Sequence, residues 1–264
     1  MSEDVPVQEP TSSPAFPPLK TLPARKRKDQ GPRLTSRDLQ CLRWIAQQYA
    51  IRLDQLQRLL LRYTPEADRE KIRQGAEHLS KERTYKTLAR WDALGLIRYG
   101  NILDGEPRWI WVSPHGLRSL DLPLRYNQPS AVRLPHLYFV NQVRLWVEGR
   151  RPLDRWKSER QIKAEQGAFE KGKRRDHLPD ALLFAANGKT SAIEVELEPK
   201  TRETLETILY ELDSTYTSIL YFVSAPAQRQ LESVLAGFAP GSRKHFLLYS
   251  LGEQGKADEI ALLS

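Results

Sequence analysis

The sequence predicts a two-domain chain of mixed class, α+β in its first half and α/β in its second, behind a disordered basic tail. Three observations lead there. Residues 1–33 hold seven of the 18 prolines and no periodic apolar pattern. From residue 34 to 120, apolar residues recur at helical spacing in three runs, and two β-like runs around a turn dipeptide follow. From residue 134 onward, strand-like and helix-like runs alternate.

The tail ends in a cationic run, Arg25 to Lys28, which reads either as a solvated tail or as an arm on nucleic-acid phosphates. Thr35 or Ser36 caps a first helix with Leu39, Leu42, Ile45, Ala46 and Tyr49 on one face. A second helix turns Leu53, Leu56, Leu59 and Leu60 inward. Residues 63–79 are polar and broken by Pro65, a loop or an inserted helix. The third helix runs from about Ser80 to Leu94, with Leu88, Trp91 and Leu94 toward a core. Arg83, Lys86, Thr87 and Arg90 fall at i, i+3, i+4 and i+7 and so predict a shared opposite face. Gly95 stops this helix. Strands at about Leu96–Leu103 and Arg108–Val112 flank Asp104-Gly105, with Trp109 and Trp111 read as core. A short apolar stretch after Ser113 ends near Leu120.

Residues 121–133 read as a linker. The second domain, 134–264, opens with a helix at Leu134–Glu148 and a strand at Arg155–Ile162. Strands at Asp180–Ala186 and Ser191–Glu198 form a hairpin across Asn187-Gly188. A helix at Thr201–Tyr216, a buried strand at Ser218–Ser224, a helix at Ala227–Phe238 and a strand at His245–Leu251 complete the order α-β-β-β-α-β, then α-β.

The formal charge of +8 and a pI near 9.5 favour a polyanionic partner, nucleic acid first and an acidic protein second. The single cysteine, Cys41, excludes a disulfide framework and a cysteine-rich zinc site. It fits a reducing compartment, so the expected location is cytoplasmic. No apolar run is long enough to span a bilayer, so no membrane association is expected, and the acidic, proline-bearing start does not read as a secretory signal. The five histidines form no ligand cluster by spacing, and no glycine-rich phosphate loop is present.

The chemistry concentrates in HLPDALLFAANGKTSAIEVELEPKT. Strand alternation turns Ile193, Val195 and Leu197 one way and Glu194, Glu196 and Glu198 the other, with like charges about 6–7 Å apart. Such a face needs water, basic partners or a cation. Hard carboxylate oxygens suit Mg²⁺ or Mn²⁺. Asp180 opens the neighbouring strand, although the register that would bring it to Glu194 is left open by the sequence. Lys200 follows closely and is a candidate cationic stabiliser. The plain alternative is an exposed strand edge balanced by the basic run Lys171 to Arg175, which otherwise reads as a DNA-grazing loop.

The segment TLARWDALGLIRYG resembles the recognition-helix-to-wing junction of winged helix-turn-helix proteins, over about residues 35–120. The αβββαβ order with Pro179-Asp180 and Glu194-x-Glu196 resembles the PD-(D/E)xK nuclease superfamily. The combination, over roughly residues 35–225, resembles the plasmid replication-relaxation family of mobile elements. That resemblance implies Asp180 and Glu194 as metal ligands, with Glu159 a further acidic member; Glu196 and Lys200, on and just after the same strand, complete the candidate catalytic set. It implies double-stranded DNA as partner, contacted by Arg83, Lys86, Thr87 and Arg90 and, from the wing, by Arg98 and Arg108. A homodimer and a relaxase or replication protein are further implied partners. One departure stands out: Glu196 occupies the position where the superfamily has lysine, so either Lys200 substitutes or the site is degenerate. The expected function is therefore DNA binding in replication, relaxation or mobilisation, with Mg²⁺- or Mn²⁺-dependent nicking. The alternative is a transcriptional regulator or adaptor whose degenerate nuclease-like domain serves dimerisation or protein contacts.

Overall fold

Helices lead the described residues and a six-stranded sheet dominates the second half. The computed structural model describes residues 33–70, 72, 75–166, 177–252 and 260–263. The basic runs Arg25–Lys28 and Lys171–Arg175 lie outside these residues. No helix among the described residues is long and apolar enough to cross a membrane.

Helix α1 (Ser36–Gln47) starts where the sequence caps it. Thr35 Oγ1 accepts from the Asp38 amide at 3.2 Å, and the Asp38 carboxylate accepts from the Thr35 amide at 2.7 Å. This reciprocal box satisfies two orphan donors. Strand β1 (Ile51–Arg52), α2 (Leu53–Arg62) and the single turn α3 (Glu66–Arg69) follow, then α4 (Lys81–Ala93). Helix α4 ends at Gly95, whose φ of +66° is the left-handed conformation that glycine tolerates. A Cβ there would meet nothing closer than His115 Cδ2 at 3.7 Å, so the cost of Gly95→Ala is backbone strain alone. We expect about 1–2 kcal/mol lost in urea unfolding. An unchanged midpoint would show that the turn relaxes.

Strands β2 (Ile97–Gly100) and β3 (Trp109–Val112) form the hairpin, and α5 (Pro114–Ser119) follows. The sheet order is β1-β3-β2, all antiparallel. Strand β1 went unread in the sequence because two residues carry no periodicity; only its pairing with Trp109 and Ile110 makes it a strand. Trp91 and Ile110 are fully buried with Leu42, Ile45, Leu56 and Leu60 in the core of this half, and Trp109 packs in a satellite cluster with Ala50, Trp111 and Leu134.

The second half opens with α6 (Leu134–Arg150). It continues through β4 (Arg155–Ser158), α7 (Glu159–Gln166), β5 (Ala181–Phe184), β6 (Thr190–Glu196) and α8 (Arg202–Thr215). It closes with β7 (Ile219–Val223), α9 (Ala225–Leu235), α10 (Pro240–Arg243), β8 (Phe246–Ser250) and β9 (Ala261–Leu262). The strands lie in the order β4-β5-β6-β7-β8-β9, with β6, β7 and β8 parallel and the other neighbours antiparallel. One sheet face packs under α6 through Val140, Val143 and Val147; the other packs under α8 and α9 through Leu209, Leu212 and Leu231.

The sequence reading of one strand over Arg155–Ile162 is corrected here. The chain leaves the sheet at Ser158, because Ser158 and Gln161 form a capping box: the Ser158 amide donates to Gln161 Oε1 at 3.1 Å, and Ser158 Oγ accepts from the Gln161 amide at 3.4 Å.

Residues Leu34–Ser264 form one compact unit. Buried polar contacts cross between its halves. Asn141 Nδ2 donates to Ala50 O at 2.9 Å, and Ser158 Oγ donates to Gln47 O at 2.7 Å. Glu148 accepts from Trp44 Nε1 and Arg62 at 3.0 Å each and from Arg144 Nε at 2.7 Å.

Candidate functional site

Two surfaces deserve the term candidate: the outer face of α4 with its hairpin, and the carboxylates at one end of the β5–β6 pair.

On α4, Arg83 and Lys86 are exposed, as are Arg98 on β2 and Arg108 just before β3. Lys86 pairs with Glu82 at 2.6 Å in full solvent, a contact worth little. The Arg108 guanidinium lies 5.7 Å from the centre of the exposed Tyr99 ring. Thr87 and Arg90 do not share this face. Thr87 is buried and its hydroxyl donates to Arg83 O at 3.1 Å. Arg90 turns back to Asp38, with Nη2 2.5 Å from Oδ1, and Trp91 Nε1 donates to the same oxygen at 3.0 Å. The four-residue stripe inferred from spacing therefore splits. A helix turns only 100° per residue, so Thr87 falls beside the buried Leu88 and Trp91.

The register between β5 and β6 answers the question the sequence left open. Ala181 faces Ile193, so one further step places Asp180 opposite Glu194. An Asp180 oxygen, Oδ2, also accepts from the Val195 amide at 2.9 Å, locking the carboxylate against β6. Alternation holds for Glu194 and Glu196, but both are buried, at 6% and 8% exposure, in an interior strand. The exposed-edge reading of that face fails for this reason. Glu198 lies beyond the strand and is exposed.

Each acid has a cationic or ionisable partner. His177 Nε2 lies 2.8 Å from Glu194 Oε1. His136 Nε2, from the first turn of α6, lies 3.3 Å from Asp180 Oδ2 and 3.1 Å from Val195 O. The Lys200 ammonium pairs with Glu196. Gln230 of α9 accepts from the Lys200 amide at 3.0 Å and so holds that lysine's backbone. Glu159 stands apart: its amide donates to Asp180 O at 2.8 Å, while its side chain pairs with Lys163.

The electrostatics follow from this packing. Burial is the largest influence on Glu194 and pushes it up to about 7, with the nearby Asp180 charge adding to it and His177 opposing. Burial alone would lower His136, but the Asp180 carboxylate outweighs it and lifts the imidazole to about 9. His177 is likewise raised, burial being outweighed by Glu194. Burial lowers Lys200, and the charges of Glu194 and Asp180 oppose that shift. Tyr221, beside Glu194 on β7, is pushed up by burial and by both acids.

Carboxylate oxygens suit Mg²⁺ or Mn²⁺ by donor type. The arrangement of these residues does not fit a resident cation. Among the described residues no three His, Cys, Asp or Glu side chains converge as a ligand set, and a basic side chain already faces each acid. The arrangement can hold protons: two carboxylates share one end of a strand pair with two histidines. The histidines were missed from sequence because spacing does not bring them together. His177, three residues before Asp180, was the one local signal.

No protein-family model matches the chain, and a search of curated proteins finds no match.

Proposed function

We propose that this chain binds double-stranded DNA through a winged-helix module and that its six-stranded half, a PD-(D/E)xK-like scaffold, serves as a regulatory or adaptor domain. The observation that carries the reading is the exposure of the basic side chains Arg83 and Lys86 on α4 and Arg98 and Arg108 on the adjoining hairpin. The order α1-β1-α2-α4-β2-β3 with sheet order β1-β3-β2 supports it, since this is the arrangement that offers a helix to the major groove and a hairpin to the flanking backbone. In this reading the DNA belongs to a plasmid or other mobile element, and the partner is a relaxase or replication enzyme.

The adaptor role is favoured over metal-dependent cutting by the partners of the acids. His136, His177 and Lys200 already pair with Asp180, Glu194 and Glu196. Against it, Lys200 feels Asp180 and Glu194 as a stabilising lysine of a nuclease would.

One experiment tests both halves of the reading. Supercoiled plasmid is incubated with the protein and Mg²⁺ or Mn²⁺, and binding and nicking are scored together. Binding without nicking is the expected result. Nicking that disappears in Asp180→Ala would overturn the adaptor role. For the interface, Lys86→Ala with Arg98→Ala should weaken duplex binding and reduce the slope of log K against log salt by about 2, near 0.9 for each lost phosphate contact. Unchanged affinity would exclude this surface.

A further inference from the structure

A small hollow of about 210 Å³ lies between α4 and the hairpin. Helical spacing builds one wall: Tyr85, Leu88 and Ala89 stand at i, i+3 and i+4 and share a face. Strand pairing builds the other. Tyr99 lies opposite Ile110 in the β2–β3 register, so both stand on one side of the sheet. Leu88 and Ile110 are buried, while Tyr85 and Tyr99 are 43% and 42% exposed, so the apolar lining reaches the surface through two tyrosine rings.

Arg108 is the one charged side chain lining the hollow among the described residues. It is exposed, and its guanidinium lies 5.7 Å from the centre of the Tyr99 ring. The exposed acids of α4, Glu82 and Asp92, do not line it.

These features restrict the occupant. The hollow is smaller than the roughly 300–1,000 Å³ usual for a free small molecule, so it suits one apolar bump on a larger partner. Arg108 asks for an anion directly beside that bump. Each sugar of a DNA strand offers C–H groups bounded by phosphates, whereas the thymine methyl stands on a base edge, away from the backbone charge. Position points the same way. A helix in the major groove and a hairpin on the flanking backbone straddle the sugar–phosphate strand between them, and the hollow is what lies between this helix and this hairpin.

We propose that the hollow seats one deoxyribose of the straddled strand against Tyr85 and Tyr99, with the adjoining phosphate on Arg108. This rests on reading α4 and the hairpin as the duplex-binding face. The seat grips every sequence alike, because sugar and phosphate carry no base identity. It adds affinity and register, and leaves base reading to other side chains of α4.

The test uses the full chain and two duplexes, one A·T-rich and one G·C-rich, each titrated across a salt series. Tyr99→Ala is expected to weaken binding about tenfold, by the same factor on both duplexes, with the salt slope unchanged, because the lost contact is apolar. Arg108→Ala should instead lower the slope of log K against log salt by about 0.9, one phosphate contact. Tyr99→Phe keeps the ring and should bind as the wild type does. Thermal melting accompanies each variant, and Tyr85→Ala, on the opposite wall, repeats the measurement should Tyr99→Ala melt early. A loss confined to the A·T-rich duplex would assign the hollow to a thymine methyl and overturn the sugar seat. Duplex binding that survives unchanged in Tyr85→Ala and Tyr99→Ala would hand the hollow to another occupant, such as an apolar side chain of a protein, and sink this proposal while the α4 interface stands. A wild-type chain that binds neither duplex would sink both.

Discussion

Asp38→Ala is expected to destabilise the protein by about 3 kcal/mol, because it removes a helix cap and the partner of a buried ion pair together. Asp38 is fully buried. Its carboxylate caps α1 at Thr35, takes the Arg90 guanidinium at 2.5 Å and accepts from the Trp91 indole at 3.0 Å. Burial would raise this carboxyl, but the Thr35 bonds and Arg90 outweigh it and hold the group below its ordinary value. Losing the side chain strands Arg90, whose side chain is only 28% exposed, and Trp91 Nε1 inside the core. Urea unfolding measures the loss. Arg90→Ala should cost a similar amount, and the double variant should cost well short of the sum, as for two ends of one contact. Additive effects, or an Asp38→Ala cost below about 1 kcal/mol, would dismiss the network. The same series separates structure from recognition. Arg90→Ala is expected to lower stability while leaving the salt dependence of duplex binding unchanged, the reverse of Lys86→Ala with Arg98→Ala.

Stability should fall as pH rises from about 5 to 9, and Glu194→Gln should flatten the first part of that fall. Glu194 ionises near 4.5 in an unfolded chain and near 7 here, raised first by burial. Between those values the folded protein keeps a proton that the unfolded chain has released, so each step up in pH favours unfolding. His136 acts in the same direction at higher pH. Its folded value of about 9 exceeds the ordinary 6.5, so the stability it contributes is full below about 6.5 and is lost as pH rises through 9. Glutamine keeps an acceptor for His177 and carries no charge. At pH 8 the variant should gain on the order of 1–2 kcal/mol, a few degrees in Tm. At pH 4.5 the two proteins should melt alike. A parallel pair of Tm curves across the range would mean that Glu194 does not titrate in this window.

These predictions draw unequally on sequence and structure. Most of the helices and the larger strands were legible because each carries a local cause. Thr35 and Asp38 cap α1, Gly95 ends α4, Asp104-Gly105 and Asn187-Gly188 turn the two hairpins, and β7 is a run of buried apolar residues. The Ser158–Gln161 box was equally local and was overlooked beside the apolar Trp156 and Ile162. The outer face of α4 was half legible. Spacing selected Arg83 and Lys86 correctly as outward residues, but could not reveal that Asp38, 52 residues away, draws Arg90 inward.

By itself, then, the sequence determined where chain direction changes and which residues alternate, since caps, turns and periodicity act within a few residues. The acidic strand and its preceding Asp180 belong to that part. Only the tertiary structure decided what the acids face. The β5–β6 register sets Asp180 against Glu194, α6 brings His136 from 44 positions earlier in the chain, and the β6–α8 turn folds Lys200 back onto Glu196. Charge compensation acts through space at a few ångströms, and no spacing rule along the chain reports on it. The two histidines show how the fold offsets Asp180 and Glu194.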